Sequence, residues 1–437
     1  MALGLTPKQI IEKGSHPLLK ISEDWERVEL ENIAKVQNGY AFSSKYFNHN
    51  EGLPLIRIRD IFSEETENLY SGEYKDEFVV KNKDFLVGMD GDFKISKWPG
   101  KLGLLNQRVC RIQFNSEYYV KEFLFLSFQP YLNAIHSETS AVTVKHLSSK
   151  TIQSIPFPLP PLPIQRAIVK KIEGLFSALD AGIADLQKAQ TQLALYRQAV
   201  LKKAFEGEQF EKVEIKKLGL ISTGNTPSKK NFDFYDSRDF NFYKPTDLEA
   251  GVSIFNSIDY LSLKGFQKAR QVPENSVLIT CIGATIGKTG LIKKEGGFNQ
   301  QINAIVPNQN VDSKFIYYQA ISQEFQTQMK TKASSTTMPI LNKGKFEKLE
   351  MNICSLELQH QIVKAIESRL SVCEQVETQI KDSLEKAEVL RQSILKKAFE
   401  GKLLTEAEIA ACKKEPDYEP AAVLLEKIKA EKITKKK

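Results

Sequence analysis

The 437-residue chain is poor in cysteine and histidine, and neither residue is arranged for chemistry. Its five cysteines, Cys110, Cys281, Cys354, Cys373 and Cys412, form no C-x-x-C pair. That argues against a zinc site or a disulfide framework and fits a reducing compartment. The five histidines (His16, His49, His136, His146 and His360) show no ligand spacing, so no metal site is expected. No run of 18 apolar residues occurs, which excludes an ordinary transmembrane helix. Residues 1–14 lack the basic stretch followed by an apolar one that marks a secretory leader, so a cytoplasmic location is expected.

Catalytic motifs are missing too. Gly283-Ala-Thr-Ile-Gly-Lys288-Thr289 imitates a phosphate-binding loop, but Ile282 stands where that loop needs its first glycine. A Gly-rich turn between strands, with Thr285, Lys288 and Thr289 exposed, is the expected reading. No N-P-P-[YF] motif for adenine methylation is present. Asp417 and Glu426-Lys427 come nearest to a nuclease-type cluster of carboxylates and lysine, and they match poorly. No catalytic residue is assigned.

What the chain does contain is a duplication. Gln165–Gly207 (QRAIVKKIEGLFSALD…RQAVLKKAFEG) aligns with Gln359–Gly401 (QHQIVKAIESRLSVCE…RQSILKKAFEG) without a gap. Sixteen positions are identical, seven at the front and nine at the back. Both copies predict long helices, since no proline falls within 164–207 or 340–415. Prolines at 156, 158, 160, 161 and 163 precede the first helix, and Gly207 and Gly401 stand where helix C-termini expect glycine. A heptad frame in the first copy places Ile172, Leu179, Leu186, Leu193 and Val200 on one line. Ile168, Leu175, Ala189 and Tyr196 fall on a second. In the second copy the frame selects Ile362, Ile366, Cys373, Val376, Ile380, Ala387, Leu390 and Ile394. Gly174 and Gly182 weaken the first copy locally, and Arg369 and Ser383 interrupt the second. Some 40 helical residues span roughly 60 Å, longer than a compact domain needs. The expectation is that the copies pair as an antiparallel coiled coil carrying a globular head at each end.

Upstream of each helix lies a mixed segment with short β-rich runs, including Leu55–Ile58, Phe85–Val87, Val109–Phe114, Val277–Ile282 and Ile302–Val306. Faint echoes connect the two segments. Val28-Glu29-Leu30 and Gly39 answer Val213-Glu214-Ile215 and Gly224, and Asn106-Gln107-Arg108-Val109 answers Asn299-Gln300-Gln301-Ile302. The fold class is therefore mixed α/β, with two related heads and a pseudo-twofold internal repeat. The parts are an extension (1–23), a first head (24–155), a first helical region (156–210), a second head (211–350), a second helical region (351–401) and a tail (402–437). Charge divides unevenly between the heads. The first has 16 basic and 18 acidic residues, the second 19 and 14. A nucleic-acid face on the first head must then be a local patch, expected within Lys94–Arg111.

This arrangement resembles the specificity subunit of a type I restriction-modification enzyme. The resemblance rests on the repeated helices with PLPPLPIQRAIVKKIEG and LKKAFEG, on Trp25-Glu-Arg-Val-Glu-Leu opening the first head, and on Ser222-Thr-Gly-Asn-Thr-Pro-Ser228 opening the second. The tail Glu419-Pro-Ala-Ala-Val-Leu-Leu-Glu-Lys-Ile-Lys-Ala-Glu431 adds to it. Asn352-Ile-Cys-Ser355 in place of the proline-rich run, and the extension 1–20, depart from the pattern. The resemblance implies a bacterial or archaeal, cytoplasmic, non-catalytic subunit with two target recognition domains. Each would read half of a bipartite double-stranded DNA site in the major groove, and the paired helices would set the gap. It implies two modification methyltransferase subunits using S-adenosylmethionine and restriction/translocase subunits using ATP and magnesium. This chain itself would hold no cofactor and touch no membrane.

Basic and hydroxyl side chains are the candidates for contact with DNA. In the first head they are Arg57, Arg59, Lys94, Lys97 and Lys101, with Thr139, Ser140, Thr143 and Lys145 before the helix. In the second they are Lys229, Lys230, Lys244, Thr285 and Lys288, with Ser334, Ser335, Thr336, Thr337 and Lys343 in the corresponding place. The alternative class is a coiled-coil scaffold or adaptor that holds protein partners without reading DNA.

Overall fold

The computed structural model describes residues 5–139, 145–334 and 339–435, with side chains to 432. The chain divides into two compact units: 1–184 with 384–437, and 185–383. Each unit therefore contains one head and parts of both long helices, Leu162–Ala204 and Leu356–Phe399.

The heads share one plan. A two-stranded ribbon opens and closes each. Glu26–Glu29 pairs antiparallel with Pro156–Leu159, setting Val28 opposite Phe157, and Glu211–Glu214 pairs with Glu350–Ile353, setting Val213 opposite Met351. Next comes a four-stranded antiparallel sheet. Its order is Ala34–Asn38, Val109–Phe114, Phe85–Gly88 and Ile95–Lys97 in the first head. In the second it is Gly219–Thr223, Ile302–Pro307, Val277–Thr280 and Thr289–Leu291. The central strands Phe85–Gly88 and Val277–Thr280 are buried along their whole length, which is why their sequences are continuously apolar. A further sheet, five-stranded in the first head and four-stranded in the second, contains one parallel pair in each. That pair is Leu53–Ile56 with Leu102–Leu105, or Phe240–Tyr243 with Gly296–Phe298. The run expected over Leu55–Ile58 stops at Ile56, because the Asp60 carboxylate accepts the Arg57 N–H at 3.1 Å and closes a 3₁₀ turn.

Each head clamps two helix ends. The Gln165 side chain is fully buried; its oxygen accepts the Val120 N–H at 2.7 Å and its amide donates to the Pro160 carbonyl at 2.8 Å. Gln359, its equivalent, accepts from the Asp312 N–H at 2.8 Å and donates to the carbonyls of Cys354 and Asn310 at 2.9 and 3.1 Å. The other ends dock through phenylalanine. Phe399, closing the second helix, packs edge-on against Phe123 of the first head, while Phe205, closing the first helix, packs edge-on against Phe315 of the second. Just beyond each helix end, Gly207 and Gly401 take positive φ of 138° and 74°.

Within each unit the helices run antiparallel. In the first, Ile168 and Ile172 share a core with Ile394, Ala398 and Phe399, while Asp180, farther along, pairs with Arg391. In the second, Leu201 and Phe205 share a core with Val363 and Ile366, and Arg197 meets Glu377 at 2.7 Å. The seam differs from the expected one in one respect. On the first helix Ile168, Ile172 and Val200 are buried and Leu179, Leu186 and Leu193 half-buried. On the second, Ile366, Cys373, Ile380, Ala387 and Ile394 are buried and Ile362 half-buried. But Leu175, Tyr196, Val376 and Leu390 are exposed, at 38%, 50%, 36% and 50%. The second line keeps its expected place at Ile168 and Ala189, but elsewhere it lies one residue later, on Phe176, Ile183 and Arg197 of one helix and Leu370, Leu384 and Arg391 of the other, all half-buried. Positions i+3 and i+4 share a helix face, so apolar spacing alone did not choose between them. The guanidinium of Arg391 stacks over Phe176 at 4.5 Å, which places a cation inside that line.

The tail belongs to the first unit. Leu424 and Ile428 enter its core beside Val28 and Phe157. Arg166 holds Asp417 and Glu415 at 2.8 and 2.6 Å, and Lys171 holds Glu408 at 2.8 Å, lowering that carboxyl to about 2. Asp417 is thus a structural partner of the helix. Burial pushes the thiols of Cys110 and Cys281 up to about 12, which leaves them unreactive. Among the described residues no helix is long and apolar enough to cross a membrane.

The register carries a stability prediction. Ile380→Asp should cost about 3 kcal/mol or more in urea unfolding, because it buries a charge. Leu390→Asp, although placed on the expected apolar line, should stay within about 0.5 kcal/mol. Equal losses would show that the seam runs through both.

Candidate nucleic-acid interface

The strands of the four-stranded sheet deliver several loops to one end of each head, and the sequence echoes at Gly39, Gly224 and the two Asn turns lie there. Gly39 crosses the turn at Asn106 so closely that a Cβ would sit 2.0 Å from the Asn106 carbonyl oxygen. Gly224 crosses the Asn299 turn in the same way, at 2.2 Å. The Gly39 N–H donates to Val109 at 3.0 Å, and that of Gly224 to Ile302 at 3.1 Å. Gln107 and Gln300 form the exposed tips of these turns. The segment before each long helix adds a second rim. Leu147 N–H donates to Met89, and Leu341 N–H to Cys281, at 2.7 and 2.8 Å.

A further equivalence emerges only in three dimensions. Arg57 and Lys244 each follow the parallel strand that ends beside the Asn turn. Each N–H is accepted by a buried aspartate three residues on, Asp60 at 3.1 Å and Asp247 at 2.7 Å. The two heads thus place a cation from the candidate set at the same position.

Among the described residues, most cations on the first head's face are held by acids. Arg57 meets Asp60 at 2.9 Å and Glu67 at 3.4 Å, and Arg59 meets the same Glu67 at 3.0 Å. Lys94 lies 4.0 Å from Asp92. His136 also faces Asp92, and Asp90 is shared by His146 and Arg108. Lys145 donates to the His136 carbonyl at 2.6 Å, and the Thr139 hydroxyl to that of Ile135 at 2.6 Å. Exposed pairs of this kind contribute about 0–1 kcal/mol each. A phosphate can therefore take over a cation at small cost, so this face can bind DNA although the head is net acidic.

Two candidates of the first head, Lys97 and Lys101, do not join that face, and neither does Arg111, the end of the expected patch. Lys97 sits opposite Phe85, at the far end of the strand, with its ammonium over the Phe125 ring at 4.8 Å. Lys101 precedes strand Leu102–Leu105 at the end away from Asn106. Arg111 is buried against Asp84 at 3.0 Å and donates to the Gln37 side chain, so the expected patch over Lys94–Arg111 is not one surface. Ser140, Thr143, Ser335, Thr336 and Thr337 lie outside the described residues.

In the second head, Lys229 and Lys230 are exposed, just past Thr226, whose hydroxyl bonds Gln300 at 2.5 Å. They carry no ion pair among the described residues. Lys244 pairs with Asp259, Lys288 with Glu249, and Lys343 with Glu347 at 3.4 Å. The Ser334 hydroxyl donates to Ile340 at 3.0 Å; Thr285 is exposed as expected, but Lys288 is half-buried and Thr289, in a buried strand, is not exposed. In the Gly283–Lys288 turn the backbone N–H groups of Gly283, Gly287 and Lys288 donate to Pro339, Thr280 and Thr285. These donors are spent within the fold and form no phosphate cradle.

Arg108 and Gln301 were not among the candidates, although both sit within the paired Asn turns. Their signal was the echo itself: an Asn-Gln pair repeated in two heads that otherwise diverge, followed by the position where arginine and glutamine differ.

Comparison with known proteins agrees with this architecture. The family profile described as "Type I restriction modification DNA specificity domain" matches residues 22–189 and 207–386. The chain is 32% identical over 466 aligned positions to the type I restriction enzyme EcoBI specificity subunit of Escherichia coli, covering 99% of this chain and 97% of that one. Among solved structures, a chain of a type I R-M system superposes with a TM-score of 0.70 at 18% identity, over 88% of this chain and all of its own. The HsdS subunit from Thermoanaerobacter tengcongensis superposes with a TM-score of 0.56 at 18% identity, over 88% of this chain and 98% of its own.

One substitution probes the acid-held cations. Glu67→Gln should tighten binding to duplex DNA at low salt and steepen the dependence of log K on log salt by about one unit for each phosphate newly contacted. Unchanged affinity and slope would show that Arg57 and Arg59 do not face DNA.

Proposed function

The chain belongs to the type I restriction-modification DNA specificity family, and from that premise we propose that its two heads each read one half of a bipartite DNA target. It is the DNA sequence-recognition subunit of a restriction-modification complex, a non-catalytic component that binds DNA and assembles with the other subunits. The observation carrying the two-part reading is the clamp: each head grips the start of one long helix and the end of the other. The paired helices then act as the ruler that sets the gap, as a fixed spacing of half-sites follows the geometry of dimeric DNA readers. Cations such as Arg57, Arg59, Lys94, Lys145, Lys229, Lys230 and Lys244 hold phosphates, while the turns at Asn106 and Asn299 approach base edges in the major groove.

The partners in this reading are two modification methyltransferase subunits, which use S-adenosylmethionine on adenine N6, and ATP-dependent restriction subunits. S-adenosylmethionine and ATP serve those subunits. Exposed apolar side chains on the helices, Leu195, Tyr196 and Val372 in the second unit and Val389 and Leu390 in the first, support docking of protein partners. A scaffold that reads no DNA is not favoured, because the family match covers both heads.

Two changes test the reading in the complex with the methyltransferase. Replacing residues 211–350 with another head of the family should change one half-site and leave the other. Inserting whole heptads into both helices should lengthen the gap and preserve both half-sites. A swap that alters both half-sites, or an insertion that alters either, would contradict independent heads joined by a ruler.

A further inference from the structure

The two Asn turns are built alike, so what differs between them is informative. In each, the residue after the turn closes it: Val109 N–H donates to Asn106 at 2.9 Å, and Ile302 N–H to Asn299 at 3.2 Å. In each, the third position is tied by its carbonyl to the neighbouring strand. Arg108 accepts from Met89 N–H at 3.0 Å, and Gln301 from Cys281 N–H at 2.7 Å. Arg108 and Gln301 therefore leave the same backbone position of the same fold. The tip residue before them is glutamine in both heads, Gln107 and Gln300.

Their surroundings differ in a matched way. Three positions converge at this place: 90, 108 and 146 in the first head, and 282, 301 and 340 in the second, with 90 bridged to 146 and 282 to 340. The first head fills them with Asp, Arg and His. Asp90 takes the His146 ring on one side and lies 3.3 Å from an Arg108 guanidinium nitrogen on the other. The second head fills them with Ile, Gln and Ile. The Gln301 oxygen accepts from the Asn299 amide at 3.0 Å, and its own amide nitrogen lies toward Gly283. One site holds a cation against a carboxylate, and the other orients a neutral amide, held by Asn299, beside the Gly283 turn.

Hydrogen-bonding chemistry then separates the two. A guanidinium offers only donors, and with Nη1 beside the Asp90 carboxylate the remaining nitrogens still present a pair of N–H groups. That pair matches O6 and N7 of guanine in the major groove. A primary amide offers one acceptor and one donor side by side, which matches N6 and N7 of adenine. Shared residues at shared positions, such as Gln107 and Gln300, suit features common to both half-sites. A residue that changes at a fixed position suits the base that changes.

We infer that positions 108 and 301 determine specificity: Arg108 selects a guanine in the first half-site and Gln301 an adenine in the second. Asp90 is a positioning residue that holds Arg108 for this contact. The inference rests on the proposed two-half reading, and its test is chosen so that each can fail separately.

The test is methylation sequencing and DNA binding with the intact complex of this chain and its methyltransferase. The variants are Arg108→Gln, Arg108→Lys, Gln301→Arg and Asp90→Asn. Wild type should methylate a split motif with a guanine in one half and an adenine in the other at the positions the variants affect. Arg108→Gln should reduce discrimination at a single base pair of the first half-site on the order of 10- to 100-fold. Gln301→Arg should do so at a single base pair of the second, with the gap unchanged. Arg108→Lys keeps the charge but not the paired donors, so it should lose discrimination while keeping the salt slope of binding. Asp90→Asn should relax the same base pair as Arg108→Gln without creating a new preference.

Several results overturn the inference. A wild-type split motif that survives both Arg108→Gln and Gln301→Arg unchanged removes it and leaves the two-half reading standing. If Arg108→Gln weakens all sequences equally and Arg108→Lys restores them, Arg108 is a phosphate contact and not a base reader. A wild-type complex that methylates no split motif removes both the inference and the reading beneath it.

Discussion

The structure depends on how each head holds the helices. A fully buried glutamine at the start of one helix, Gln165 or Gln359, spends its amide on backbone groups of the head and of the residues leading into the helix. Leaving such groups unpaired in the interior costs about 1–3 kcal/mol each, so the helix start is pinned. The end of the opposite helix is anchored by Phe399 or Phe205 against a head phenylalanine. Because each head takes one start and one end, antiparallel pairing follows from the heads as much as from the seam. This also explains where the duplicated helices remain identical. Seven matches lie at the front and nine at the back, the two places that enter a head. The middle has only to keep an apolar line.

Much of this was legible in the sequence because duplication multiplies weak signals. The helices and their ends appear in a gapless alignment, and the two heads and their Asn turns in short echoes. The helix seam was half legible. The line through Ile172, Leu179 and Leu186 is spaced by seven and could be counted. The choice between Leu175 and Phe176, or Leu390 and Arg391, depends on which way the helix faces its partner. Arg391 over Phe176 shows why residue type misled: the inner position carries a guanidinium and the outer one a leucine. The correspondence of Arg57 with Lys244 was hidden for a different reason. Insertions between the strands shift the spacing, and only the parallel strand pairs reveal that both residues leave the same place.

Charge had to be read in place rather than summed. The stretch Lys94–Arg111 is basic in sequence, yet strand geometry scatters it: Arg111 faces inward to Asp84, Lys97 lies over aromatic rings and Arg108 reaches the loop end. The first head's face is a lattice of weak ion pairs and not a bare positive patch. Such a surface binds phosphate only where its acids can be displaced or avoided, which favours register over indiscriminate attraction.

The central claim is that two similar heads, each fixed to both helices, read two separate stretches of one DNA. Its most direct measurement is single-molecule methylation sequencing of DNA from cells that express this chain with its methyltransferase. The account predicts methylated adenines within one split motif, two short specified segments separated by a gap of constant length and free sequence. Methylation within one uninterrupted motif, or within segments whose separation varies, would contradict it.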